Sequence, residues 1–214
     1  MNAPELHLGD AETVADLTTY VGRARVLDPD GAVRLQASAR TLAVWVGVLR
    51  GRGLTGEGTV LGLRVLPLAA DAEVDEIVPL AGVSDRLARG LAGGTRLPVP
   101  PTTVRAGWAA VSPPRSGWQP LGEVSATVLA QAARDGIAEV AQGVPDGAGS
   151  AAVDQLRARV WGRALPTGGG PDGLPAGVAL GAHALGFLVG DTARVFAAGR
   201  WFRLSTPVGH VLVR

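Results

Sequence analysis

A chain of 214 residues, 47% hydrophobic and 18% charged, carries enough apolar material to bury an ordinary core, which excludes a disordered chain. The net charge of +1 divides as twelve acids against eleven arginines up to Gly107 and nine arginines against seven acids from Trp108 onward, so neither half draws nucleic acid by bulk charge. All twenty cationic side chains are Arg, and the lack of Lys and Cys excludes lysine Schiff bases, cysteine nucleophiles, thiolate metal sites and disulfides.

The opening residues, MNAPELHLGDAETVADL, hold no cationic segment followed by an apolar one. The longest apolar stretches, 178–189 and 42–49, fall short of the roughly 20 residues that cross a bilayer. A cytoplasmic protein with no membrane association is expected. Asp10 can cap a helix whose apolar positions Val14, Leu17, Val21 and Ala24 form one stripe, ending before the turn signal Asp28-Pro29-Asp30-Gly31. Period 2 follows, with Val33, Leu35 and Ala37 on one face and then Leu42, Val44, Val46 and Val48 within 41–50, which reads as a hairpin.

Residues 51–58 form a glycine-rich loop, and 60–66 and 74–78 predict two more strands of an antiparallel sheet. The loop spells G-x-G-x-x-G from Gly51 to Gly56, but a dinucleotide-binding loop must open a helix, and here a strand pattern follows. A plain hairpin loop is expected, with an anion-binding loop as the alternative. Asp71, Glu73 and Asp75 lie two apart and could face one way toward Ca²⁺ or Mg²⁺, yet the spacing suits a solvated edge strand better. Pro79 suits a helix start, with Val83, Leu87 and Leu91 along one face and Gly93-Gly94 at its end.

Six prolines between Leu97 and Pro120 predict extended connections around short β segments at 99–104 and 108–111, and the domain boundary is placed there. A long helix is then expected from Val124, Val128, Ala132, Ile137, Val140 and Ala141, stopping near Gly143-Val144-Pro145. Ser150 should cap a second helix with Val153, Leu156, Val160 and Trp161 on one face. The run 167–175 reads as a flexible connection, 178–189 as a central helix apolar all round, and 194–213 as two or three short strands.

The three histidines, His7, His183 and His210, lack ligand spacing. His183 is expected to be a hydrogen-bonded core histidine, and His210 belongs to the last strand. The least ordinary segment is 112–120, where a stiff proline pair precedes Arg115 and Trp118. Arg and Trp pair again at Arg159 and Trp161 and at Trp201 and Arg203. Converging guanidinium and aromatic groups would recognise an anion by forked hydrogen bonds and stacking; core packing of each Trp is the competing reading.

The segments VRLQAS at Val33, LAVWV at Leu42, SPPRSGW at Ser112, RARVWGR at Arg157 and RLSTPVGHVL at Arg203 together resemble an uncharacterised family of actinobacterial proteins of this length. The resemblance implies a bacterial cytoplasmic origin and no mechanism.

The fold expected is α+β: a small antiparallel sheet with flanking helices over 1–107, a Pro-rich connection over 108–120, and a mostly helical half over 121–214 that ends in a β-hairpin and could be a winged helix. Function narrows to three readings. The first is a non-catalytic binding or assembly module, expected as a homo-oligomer with no cofactor, no metal and no catalytic residue. The second is an enzyme or sensor of a small anionic ligand using Arg115, Trp118, Arg159, Trp161, Arg203 and His210. The third, a winged-helix DNA binder, suffers because 178–188 offers only His183 to a groove, so nucleic acid is not the expected partner.

Overall fold

A computed structural model describes residues 4–53, 55–91, 94–144, 149–167 and 170–214. The expected stops at Gly93 and Pro145, Leu54 of the glycine motif, part of the 167–175 run and the first three residues lie outside the described set. The chain forms two compact units, one of Met1–Val48 and Gly62–Ala110 and one of Leu49–Leu61 and Val111–Arg214.

In the first unit, strand β1 (Glu5–His7) leads into helix α1 (Ala11–Leu27). Asp10 caps α1 by accepting from the Thr13 backbone N–H at 2.8 Å, and that bond holds its carboxyl below the usual 3.8. The helix buries Thr13, Leu17, Tyr20, Val21 and Ala24, close to the stripe read from the sequence. Strands β2 (Ala32–Ser38), β3 (Thr41–Leu49), β4 (Val60–Pro67) and β5 (Val74–Pro79) line up in the order β5-β2-β3-β4. Val33, Leu35 and Ala37 face Val46, Val44 and Leu42 across the β2–β3 register, so period 2 becomes one buried row. Helix α2 (Leu80–Ala88) packs on α1 and buries Leu80, Val83 and Leu87.

The hairpin between β2 and β3 turns at Ala39, whose φ of 48° lies in the left-handed region. A Cβ is disfavoured there, so Ala39→Gly is expected to raise stability by roughly 0.5–1 kcal/mol in urea unfolding. A loss of stability would show that the turn tolerates its Ala without strain.

The acidic run behaves as an edge. Glu73 accepts from Ser38 Oγ at 3.0 Å and the Ala39 N–H at 3.1 Å, while Asp75 on β5 takes the fork of Arg34 at 2.6 and 2.7 Å. Two expected strands are corrected: Pro100 and Pro101 bring no N–H to a ladder, and the extended piece is instead β6 (Arg96–Pro98), paired with β1. Residues Gly107–Ala110 form a 3₁₀ turn that lays the Trp108 ring over Gly47, where an added Cβ would sit 2.5 Å from the indole.

The second unit runs β7 (Gln119–Ser125), α3 (Ala126–Gly143), α4 (Ser150–Gly162), α5 (Gly177–Ala184), β8 (Thr192–Ala198), β9 (Trp201–Thr206) and β10 (Gly209–Val213). Its strands are antiparallel in the order β10-β9-β8-β7, with a bulge in β7 between Pro120 and Gly122. The long helix begins later than expected because Val124 still lies in β7 and Ser125, the last residue of that strand, caps the helix. Its buried face is Leu129, Ala133 and Gly136 rather than the larger side chains, and Ile137 is exposed. Small residues win that face because the Trp161 ring of α4 lies on Gly136.

Helix α4 is capped by Gly149 without a side-chain bond, and Ser150 is its first residue. Helix α5 ends well before Val189: the Phe187 N–H donates to the Ala182 carbonyl at 2.7 Å, the Gly186 N–H donates to the His183 carbonyl at 3.1 Å, and Gly186 has φ of 69°. That is a Schellman closure, which an apolar run alone does not announce. His183 in the last turn is exposed, not a core histidine.

The winged-helix expectation fails on two counts. The terminal hairpin is part of a four-stranded order completed by β7, a strand that precedes the helices. Helix α5, which would have to enter a groove, buries Gly177 to Ala182, with Gly181 against Val211 and Val60. No helix among the described residues is long and apolar enough to cross a membrane.

Candidate functional site

The register of β8, β9 and β10 places Arg194, Phe196, Trp201, Arg203, Ser205, His210 and Leu212 on one face of the second unit's sheet. The opposite face, through Val211 and Val213, meets α5. Phe196 lies directly across from Arg203, and the Trp118 ring comes in from the loop before β7. The Arg203 guanidinium is thereby held between two aromatic rings, 4.7 Å from the Trp118 centroid and 4.5 Å from that of Phe196. Trp118 is itself fixed by its indole N–H, which donates to the Pro114 carbonyl at 3.1 Å.

Arg203 Nε is buried with no hydrogen-bond acceptor among the described residues. Burial, followed by the charge of Arg194, lowers the Arg203 pKa from its ordinary value, so the cation is held where its charge is disfavoured. An incoming carboxylate or phosphate oxygen would relieve both conditions. Along the same face, His210 Nδ1 and Ser205 Oγ are 2.9 Å apart. Ser205 is a buried residue, which suits a structural bond better than a nucleophile.

Of the six residues singled out from the sequence, Trp118 and Arg203 touch, and His210 lies on the same sheet face. Arg115 is exposed on its loop. Arg159 belongs to the helix layer, where it lines a cleft with Arg52 and Gln155. Trp161 is 5% exposed and packed on Gly136, so its core reading replaces the ligand reading. Sequence reasoning missed Phe196, although the two-residue turn Gly199-Arg200 sets a register in which 196 must oppose 203.

The sequence profile of a domain of unknown function, DUF8010, matches residues 1–109, more than half of the chain. The chain belongs to that family. A second domain of unknown function, DUF8185, matches residues 113–214. No curated protein matches the sequence.

Among solved structures the chain is similar to bacterial sliding clamps. The DNA polymerase sliding clamp of Caulobacter crescentus matches at 12% identity and a TM-score of 0.50 over 94% of this chain and 63% of that one. A second C. crescentus beta clamp structure, with polyethylene glycol bound, matches at 12% and 0.54 over 98% and 64%. The DnaN clamp of Bartonella birtlesii bound to griselimycin matches at 11% and 0.54 over 98% and 64%. The likeness is one of fold, to clamps and not to winged-helix proteins, and the chain spans less than two thirds of the length of those clamp chains.

Proposed function

We propose that this chain is a non-catalytic assembly module of a bacterial cytoplasm, in which Arg203 receives a carboxylate from a second copy. The carrying observation is the Arg203 cation, stacked between Trp118 and Phe196 with a buried Nε that lacks an acceptor among the described residues. The fold shared with sliding clamps supports assembly over turnover. No group of three or more His, Asp or Glu side chains among the described residues could hold a metal ion.

The test is mass by light scattering over a wide range of protein concentration. The parent is expected to gain mass with concentration, and Arg203→Glu to stay monomeric. Arg203→Met should also lose association while keeping stability within about 1 kcal/mol of the parent, because a thioether replaces the cation against the same rings. A parent that stays monomeric throughout, or an Arg203→Glu variant that associates like the parent, sinks the proposal.

DNA association, the role named for the clamps, is the second reading. The fold favours it; the charge does not, since the described helices together carry six acids and six arginines and so no net positive charge for phosphates. A salt-sensitive gel shift with duplex DNA would promote this reading over the first.

A further inference from the structure

We propose that the second unit carries a separate binding site on its helix layer, a cleft that takes a compact phosphate-bearing anion of the pyrophosphate class. The cleft, about 450 Å³, is lined by Arg52, Gly143, Ala152, Gln155, Leu156 and Arg159. Its volume suits a small ligand, for which sites of roughly 300–1,000 Å³ are usual. Ala152, Gln155, Leu156 and Arg159 recur at helical spacing along one face of α4, and Arg52 approaches them from the glycine loop between β3 and β4.

One bond sets the geometry. Arg52 Nη2 donates to the Asp154 carbonyl at 2.6 Å, tying the loop to the helix across 102 residues of sequence. That bond occupies one of the five guanidinium donors. Neither Arg52 nor Arg159 makes an ion pair among the described residues, and no carboxylate is among the groups lining the cleft. Two guanidinium groups and a carboxamide therefore line one space with no carboxylate among the described residues that line it.

Most of the loop's described amides are already engaged. The Arg52, Gly56, Glu57, Gly58 and Thr59 N–H groups donate to the carbonyls of Glu57, Gly53, Arg52, Arg214 and Gly56, so these five amides are spent inside the chain and form no cradle. The loop's contribution is the Arg52 side chain. Two guanidinium groups carried by separate elements, a loop and a helix, supply more donors than one carboxylate's two in-plane oxygens use, which suits the several oxygens of a pyrophosphate better.

The experiment is calorimetric titration of the full chain with sodium pyrophosphate at low ionic strength, with citrate as the carboxylate comparison. Saturable one-to-one binding is expected, weakening with added salt because both arginines are exposed. Arg52→Ala and Arg159→Ala should each weaken it by about tenfold or more, as expected for a lost charge-assisted bond. Arg159→Lys should recover only part of the loss. Arg105→Ala, an exposed cation of the first unit, should bind pyrophosphate like the parent, which ties the loss to these two arginines and not to cationic charge in general. The proposal is overturned by absence of pyrophosphate binding, by citrate binding more tightly, or by parental affinity in folded Arg52→Ala and Arg159→Ala proteins.

Discussion

Trp161→Ala is expected to lower stability by roughly 3–5 kcal/mol, the cost of emptying a buried indole site. The indole lies against α3 where Gly136 leaves room: a Cβ added at 136 would stand 2.4 and 2.5 Å from two ring carbons. Gly136→Ala alone should therefore cost about 1–3 kcal/mol by overpacking. In the Trp161→Ala background the clash disappears, and the same Gly→Ala change should stabilise by up to about 1 kcal/mol through helix propensity. A double-mutant cycle in urea would show the sign of the Gly136 effect reversing. Additive effects would mean that α3 and α4 do not meet through this pair.

Gly51→Ala should be comparably severe, at roughly 3 kcal/mol. Its Cβ would lie 2.2 Å from Thr59 Oγ1 and 2.4 and 2.5 Å from the Gly56 carbonyl oxygen and carbon, and the last two are backbone with no rotamer to escape into. Thr59 is buried and bonds the same Gly56 carbonyl at 2.7 Å, so the loop can yield only by opening. Opening displaces Arg52. The variant should thus lose pyrophosphate binding with both arginines intact, whereas Gly53→Ala, strained by a φ of 61° but free of close contacts, should cost about 1 kcal/mol and keep it. Parental pyrophosphate affinity in Gly51→Ala would break the link between loop shape and site.

Helix α1 and the β2–β3 hairpin were legible because each obeys one clear period and ends on a recognised cap or turn. Helix α5 was overdrawn because hydrophobicity continues through Leu185 and Phe187 after the backbone has turned at Gly186. Half of the sheet-face cluster could be read: the Gly199-Arg200 turn fixes Phe196 against Arg203. Trp118 could not be placed, since a loop residue has no register. The Arg52–Arg159 cleft was equally hidden, because it depends on a long-range bond from a side chain to the Asp154 backbone that no local pattern encodes.

The outermost strand of the second unit also shapes how the protein behaves as a material. A foreign strand laid against β7 meets Pro120, which has no N–H to give, and then the bulge at Gly122, so templated growth of a fibril from this side is blunted. Remove β7, by proteolysis or in a refolding mixture, and β8 becomes the rim, an unbulged strand of alternating Ala193, Val195 and Ala197 with every amide able to pair. Concentrated native samples should stay clear, while β7-deleted or half-refolded chains should gel.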